Sequence, residues 1–174
     1  MMKRRSMLKI WMLCLILTSL SVTTITAYLA DGDSARNVMT VGGNNISIIE
    51  EFEPKTIEPG VVIHKKVNIK NDGPNTCFVR VRAVFSDSDI GKYAQVDWNE
   101  EDWVYDASDE YFYYKYALNK GDLTKTLMQT VQISLDLPED IIKNVDLIVY
   151  AESYQAYGFS NYKEAWVDYQ KNLK

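Results

Sequence analysis

The chain has 174 residues, one domain's worth of sequence with little room for a second. Hydrophobic residues make up 47% and charged residues 25%, ordinary globular values that exclude a wholly disordered chain. A single His excludes any site built on two imidazoles, and two Cys exclude a four-thiolate zinc site or a disulfide-dense scaffold.

Residues 1–9 hold Lys3, Arg4, Arg5 and Lys9 without an acid, and residues 10–30 carry no charge. Ile10 to Leu17 form a short apolar centre, and a threonine- and serine-bearing stretch leads from Thr18 to Ala27. A basic start, a short apolar centre and a small terminal residue describe a secretory signal peptide over residues 1–27, cut between Ala27 and Tyr28. The alternative is a retained anchor, which needs about 20 predominantly apolar residues. Six hydroxyl side chains between Thr18 and Thr26 argue against it.

Cleavage removes four basic residues and no acids, leaving 15 basic and 24 acidic residues and a formal net charge of −9. Such a surface repels phosphate backbones, so no nucleic-acid partner is expected. The chain is expected outside the cell, touching membrane only as the uncut precursor. Cys77 alone survives processing, so an internal disulfide is excluded, and it reads as a small buried hydrophobe.

Beyond the signal, residues 28–37 are small and polar, and Val38 to Thr40 begin a strand. Gly42 to Asn45 read as a tight turn and Ile46 to Phe52 as an extended run. Glu58-Pro59-Gly60 is a turn. From Val61 to Lys70, apolar and polar residues alternate, the signature of a half-buried strand with a wet face. Asn71 to Asn75 carry the strongest turn signal. Cys77, Val79, Val81, Ala83 and Phe85 then share one face, and Phe78, Arg80, Arg82 and Val84 the other. The two strands read as a hairpin with matching apolar and basic faces.

Ser86 to Asp102 is acidic and irregular. Its carboxylates lack the order of a calcium loop and read as a solvated loop. Tyr111 to Tyr116 is an aromatic strand; its rings either pack between sheets or offer a partner surface through Tyr111, Tyr113, Tyr114 and Tyr116. Asn119 to Asp122 turn the chain. Val131, Ile133 and Leu135 alternate with polar partners until Pro138, and Leu147 to Tyr154 form the last long strand. The period then changes. Tyr162, Ala165, Trp166, Tyr169 and Leu173 fall at helical spacing, with Asn161 as N-cap and Glu164 as its reciprocal partner.

Four ordered blocks carry a family resemblance. They are Ala27 to Gly42, with its Ala-aromatic step and Thr-Val-Gly segment; Glu58-Pro59-Gly60 with Val67 to Gly73 and Phe78 to Val81; Tyr111 to Leu118 with Gly121-Asp122; and Val145 to Gly158 with Ala165-Trp166. In the third block Asn119-Lys120-Gly121 replaces a Pro-Gly turn. Together they resemble the TasA/camelysin-type family of exported Gram-positive proteins, which the signal peptidase SipW processes. The resemblance implies a jelly-roll-like sandwich and a structural role in biofilm matrix fibres. Some relatives carry a metallopeptidase label. The single His64, read as an exposed strand residue, gives that label little support, and no catalytic residue, metal or cofactor is expected.

The expected fold is therefore all-β: an antiparallel two-sheet sandwich, jelly-roll or immunoglobulin-like, with an N-terminal signal helix and a short C-terminal helix. The expected organisation is signal peptide 1–27, exposed segment 28–41, and sandwich 42–174 with the helix at 161–173. The segment 28–41 is the candidate donor strand, with Asp31, Ser34, Ala35, Asn37, Val38, Thr40 and Val41 as its contact residues. Its partner would be a second copy or a related matrix subunit. A monomeric surface module for glycan or protein is the other class left open.

Overall fold

Alternation of apolar and polar residues governs most of the chain, and nine strands form from it among the described residues. The computed structural model describes residues 37–40 (backbone only), 45–53, 55–141 and 146–172. The expected signal helix and the turn at Gly42 to Asn44 lie outside them.

The strands are β1 (Asn37–Thr40), β2 (Ile46–Phe52), β3 (Val62–Asn71), β4 (Cys77–Phe85), β5 (Ala94–Val96), β6 (Trp103–Asp106), β7 (Tyr111–Tyr114), β8 (Met128–Ile133) and β9 (Leu147–Gln155). A one-turn helix α1 (Ser88–Gly91) precedes β5, and α2 (Tyr162–Asn172) ends the described chain. One sheet has the order β1-β9-β4-β7-β6 and the other β2-β3-β8-β5. Every adjacent pair is antiparallel except β1 with β9. The fold is the expected all-β two-sheet sandwich.

The core lies between the sheets. Val67, Ile69, Val131 and Ile133 meet Val79, Val81, Phe112 and Ala151, all buried at period two. Trp103 is buried against Tyr114, and its indole N–H donates to the Lys125 carbonyl at 3.2 Å, so the ring's one polar atom is satisfied. Cys77 is fully buried, and desolvation pushes its thiol up to about 12. It packs as a small hydrophobe.

The expected hairpin of β3 with β4 does not form. β3 pairs with β2 and β8, while β4 pairs with β9 and β7, so both are interior strands of different sheets. The reason is Asn71, the last residue of β3, which points inward and is fully buried. Its amide donates to the carbonyls of Asn75 (2.8 Å) and Leu118 (2.9 Å) and accepts from the Gly73 N–H (2.9 Å). Its backbone is held by Asp122 and Gly121 at 3.0 and 2.7 Å. These bonds carry the chain across the sandwich instead of folding it back on itself.

Two further expectations change. The alternation read through Leu135 stops at Ile133: just beyond it the Ser134 hydroxyl accepts the Asp136 N–H and the Ser134 carbonyl the Leu137 N–H, the chain turns, and Leu135 is 80% exposed. Leu135 lies over Gly60, whose φ of +79° is what calls for glycine at that turn; the exposed Leu135 side chain could swing away from an added Cβ. The acidic stretch 86–102 holds α1 and β5 rather than being irregular throughout. Asp87 caps α1, and Asp97 Oδ1 accepts the N–H groups of Gln129 and Thr130, both at 2.8 Å. Among the described residues no three His, Cys, Asp or Glu side chains gather as a cation site.

The C-terminal helix forms nearly as expected. Asn161 Oδ1 accepts the Glu164 N–H at 3.2 Å, and the Glu164 carboxylate returns to the Ser160 N–H and the Asn161 amide, each at 3.0 Å. Ala165, Trp166 and Tyr169 form its buried face. No helix among the described residues is long and apolar enough to cross a membrane.

Asn71→Ala should cost about 1–3 kcal/mol, because the buried Gly73 N–H loses its acceptor and the amide's two donated bonds are lost, while the Leu118 carbonyl keeps the Cys77 N–H. Urea denaturation of the variant checks this. An unchanged midpoint would show that the corner does not depend on the amide.

Candidate functional site

Ala27, Tyr28, Asp31, Ser34, Ala35 and Val41 lie outside the described residues. Asn37, Val38 and Thr40 lie in β1. That strand pairs in parallel with β9 of its own chain, Asn37 opposite Tyr150 through Thr40 opposite Ser153. β1 is therefore the edge of the five-stranded sheet. A parallel ladder of four residues is a weak attachment, since parallel pairing is slightly less stable per residue. β2, the edge of the other sheet, lies beside β1 and β9. It carries charge at its rim: Glu50 pairs with the nearly buried Lys65 at 3.0 Å, and Glu51 with Lys66 at 2.9 Å. Charges of this kind blunt an edge against non-specific pairing.

The four tyrosines of the aromatic strand do not share one surface. Alternation sends Tyr111 and Tyr113 to the outer face of the five-stranded sheet and Tyr114 into the core. Tyr113 is then covered by α2, and only Tyr116, past the end of β7, is largely exposed at 54%. The Tyr114 hydroxyl accepts the Lys125 N–H at 3.1 Å.

Tyr111 and Tyr113 belong instead to a charged cluster centred on Arg80. Sequence alternation put Arg80 on a basic face, but the residue is 6% exposed. Neighbouring pairing with β9 sets Arg80 opposite Glu152, and its Nε and one terminal nitrogen donate to Glu152 Oε2 at 2.7 and 2.5 Å. Its other terminal nitrogen reaches the Tyr113 hydroxyl at 3.1 Å and Asp109 at 3.3 Å. Tyr113 donates to Asp109 at 2.5 Å, and Tyr111 donates to Glu152 Oε1 at 3.1 Å. The guanidinium carbon lies 4.0 Å from the Tyr111 ring centre, 4.5 Å from Trp166 and 5.1 Å from Tyr169. Burial opposes the Arg80 charge, but the Glu152 and Tyr113 hydrogen bonds outweigh it and hold the group above its ordinary value. Desolvation, with the neighbouring carboxylates, pushes both Tyr111 and Tyr113 up to about 12.

This cluster seats α2. Phe78, Tyr113, Tyr154, Ala165, Trp166 and Tyr169 form a second core, separate from the one between the sheets. Tyr154 adds a hydrogen bond to Asp168 at 2.9 Å. The helix covers only part of the sheet face. Beside it, Arg82, Val84, Tyr111, Ile148, Tyr150 and Glu152 line an open groove of about 360 Å³. Arg82 is ion-paired with Glu110 at the groove's rim, and its Nε is buried without a hydrogen-bond partner among the described residues. His64 is exposed on the outer face of β3, in the other sheet.

Sequence reasoning missed the Arg80–Glu152–Asp109 cluster. The available signal was an arginine alternating with Phe78 on one strand and a glutamate between Tyr150 and Tyr154 on another, with a tryptophan-bearing helix behind them.

Arg80→Ala should destabilise the protein by about 3–5 kcal/mol, since it leaves Glu152 buried and unpaired. Arg80→Lys should recover little of that loss, because one ammonium cannot reproduce the planar set of donors. Thermal unfolding of both variants checks the claim, and wild-type stability in Arg80→Ala would refute it.

No protein-family model, curated protein or solved structure matches the chain.

Proposed function

We propose that the chain is an exported structural protein, a subunit or accessory component of extracellular biofilm-matrix fibres that assembles by strand addition. The observation that carries the reading is β1: four residues held by a parallel ladder at a sheet edge. Signal cleavage between Ala27 and Tyr28 would free the segment leading into it. In assembly, β1 of one molecule leaves its own β9 and pairs with β9 of the next in the same register. Main-chain hydrogen bonds then supply the affinity. A head-to-tail contact of this kind does not close, so it propagates as a filament.

The four ordered blocks resembling the TasA/camelysin-type family support the same reading. So does the acidity of the processed chain, which favours solubility before assembly and disfavours nucleic acid. The partners are a second copy or a related matrix subunit, and a signal peptidase during export. The membrane is met only by the uncut precursor, whose N-terminus is not free to exchange.

The test combines microscopy with a register-specific cross-link. Residues 28–174 should form filaments as concentration rises, and deletion of residues 28–40 should leave single particles. Mixing an Asn37→Cys chain with a Tyr150→Cys chain should give intermolecular disulfides, because these positions are adjacent in the ladder. Filaments from the deleted chain, or no cross-link between the two variants in assembled material, would overturn the reading.

A further inference from the structure

The outer face of the five-stranded sheet is used twice over, and only one use is accounted for by α2. Rows of residues cross β9, β4 and β7. The rows of Phe78 with Tyr154 and of Arg80 with Glu152 lie under the helix. The next row continues as Tyr150 opposite Arg82, and the antiparallel register that sets Tyr113 beside Arg80 brings Tyr111 to the far side of Arg82. The row after that is Val84 opposite Ile148. These last two rows form the groove.

Its chemistry is specific. Two phenol rings stand on strands that flank β4, so they are about 10 Å apart at the backbone. One face of the Tyr111 ring is taken by Arg80, while Tyr111 and Tyr150 both line the groove. Val84 and Tyr150 are 39% and 37% exposed, enough to receive an apolar surface without rearrangement. Both charges that border the groove from β4 and β9 are already neutralised, Arg82 by Glu110 and Glu152 by Arg80. An anionic or cationic ligand would have to break one of these pairs. An uncharged ligand with apolar faces and hydroxyl edges leaves both intact. It can stack on the rings and exchange hydrogen bonds with the tyrosine hydroxyls and the paired ions. The groove is open rather than enclosed, so it suits a stretch of polymer better than a small molecule held on all sides.

We propose that this half of the sheet face binds a segment of neutral polysaccharide, with Tyr150 and Tyr111 as stacking platforms and Arg82 as a hydrogen-bonding group. The site borders β1, since Tyr150 stands opposite Asn37 in the ladder, and in the proposed exchange the β1 of the next molecule takes the same place beside it.

Affinity electrophoresis of the full chain tests this, with laminarin and hydroxyethyl cellulose as neutral glucans and alginate as a polyanion. Retardation is expected in at least one neutral glucan. Tyr150→Ala should weaken it at least about threefold, Tyr150→Phe should restore it, and His64→Ala on the opposite sheet should leave it unchanged. The proposal fails if neither glucan retards the chain, if Tyr150→Ala binds as tightly as the wild type, or if alginate alone is bound. Tyr150-dependent dimerisation in sedimentation, without glucan binding, would assign the face to a second copy and equally overturn it.

Discussion

A single buried amide decides which strands of this protein can be neighbours. Asn71 spends its side chain on Asn75, Leu118 and Gly73, and its backbone on Asp122 and Gly121. With those bonds made, the chain between β3 and β4 must cross from one sheet to the other. Both strands then become interior, each with two partners. In the sheets that result, β9 lies beside β4, β8 beside β3, and β1 at the edge next to β9.

The crossing also determines what the second face of β4 must do. In a hairpin with β3, Phe78 and Arg80 would stand on a wet surface. As an interior strand beside β9 and β7, β4 brings Arg80 against Glu152 and among tyrosines, and α2 closes over them. An ion pair removed from water is costly unless its remaining hydrogen-bonding capacity is filled. Here Tyr111 takes the free Glu152 oxygen, and Tyr113 and Asp109 take the free guanidinium nitrogen. The helix covers the rows that contain this cluster and stops short of Tyr150 and Val84, which leaves a second, amphipathic surface open beside it.

Period-two alternation made β3, β4, β8 and β9 legible, while the short β5 and β6 in and beside the acidic stretch went unread, and the cap residues Asn161 and Glu164 marked the last helix within a residue. Alternation tells which residues share a face, but it does not tell which strand lies alongside or what covers the face. That is why the hairpin of β3 with β4 was an attractive error and why Arg80 passed for a surface residue. The tyrosine run failed as a single surface for the same reason. Consecutive residues in a strand point to opposite sides, so Tyr113 and Tyr114 enter different cores. Leu135 fits the alternation and still lies in water, because the Asp136 and Leu137 N–H groups both turn back onto Ser134 and the strand ends there.

The proposed assembly depends on β1 being separable from the sandwich it borders. It has four residues, one partner and a parallel ladder, whereas β9 is locked to β4 over nine residue pairs. Opening β1 need not disturb that lock. Residue-resolved hydrogen exchange on the monomeric chain measures this directly. The account requires the amides of Asn37 to Thr40 to exchange through local opening, well before those of Val79, Val81 and Val149. Protection of β1 equal to that of β4 and β9 would mean that the edge strand opens only with the whole domain, and would contradict exchange of β1 as the route to a fibre.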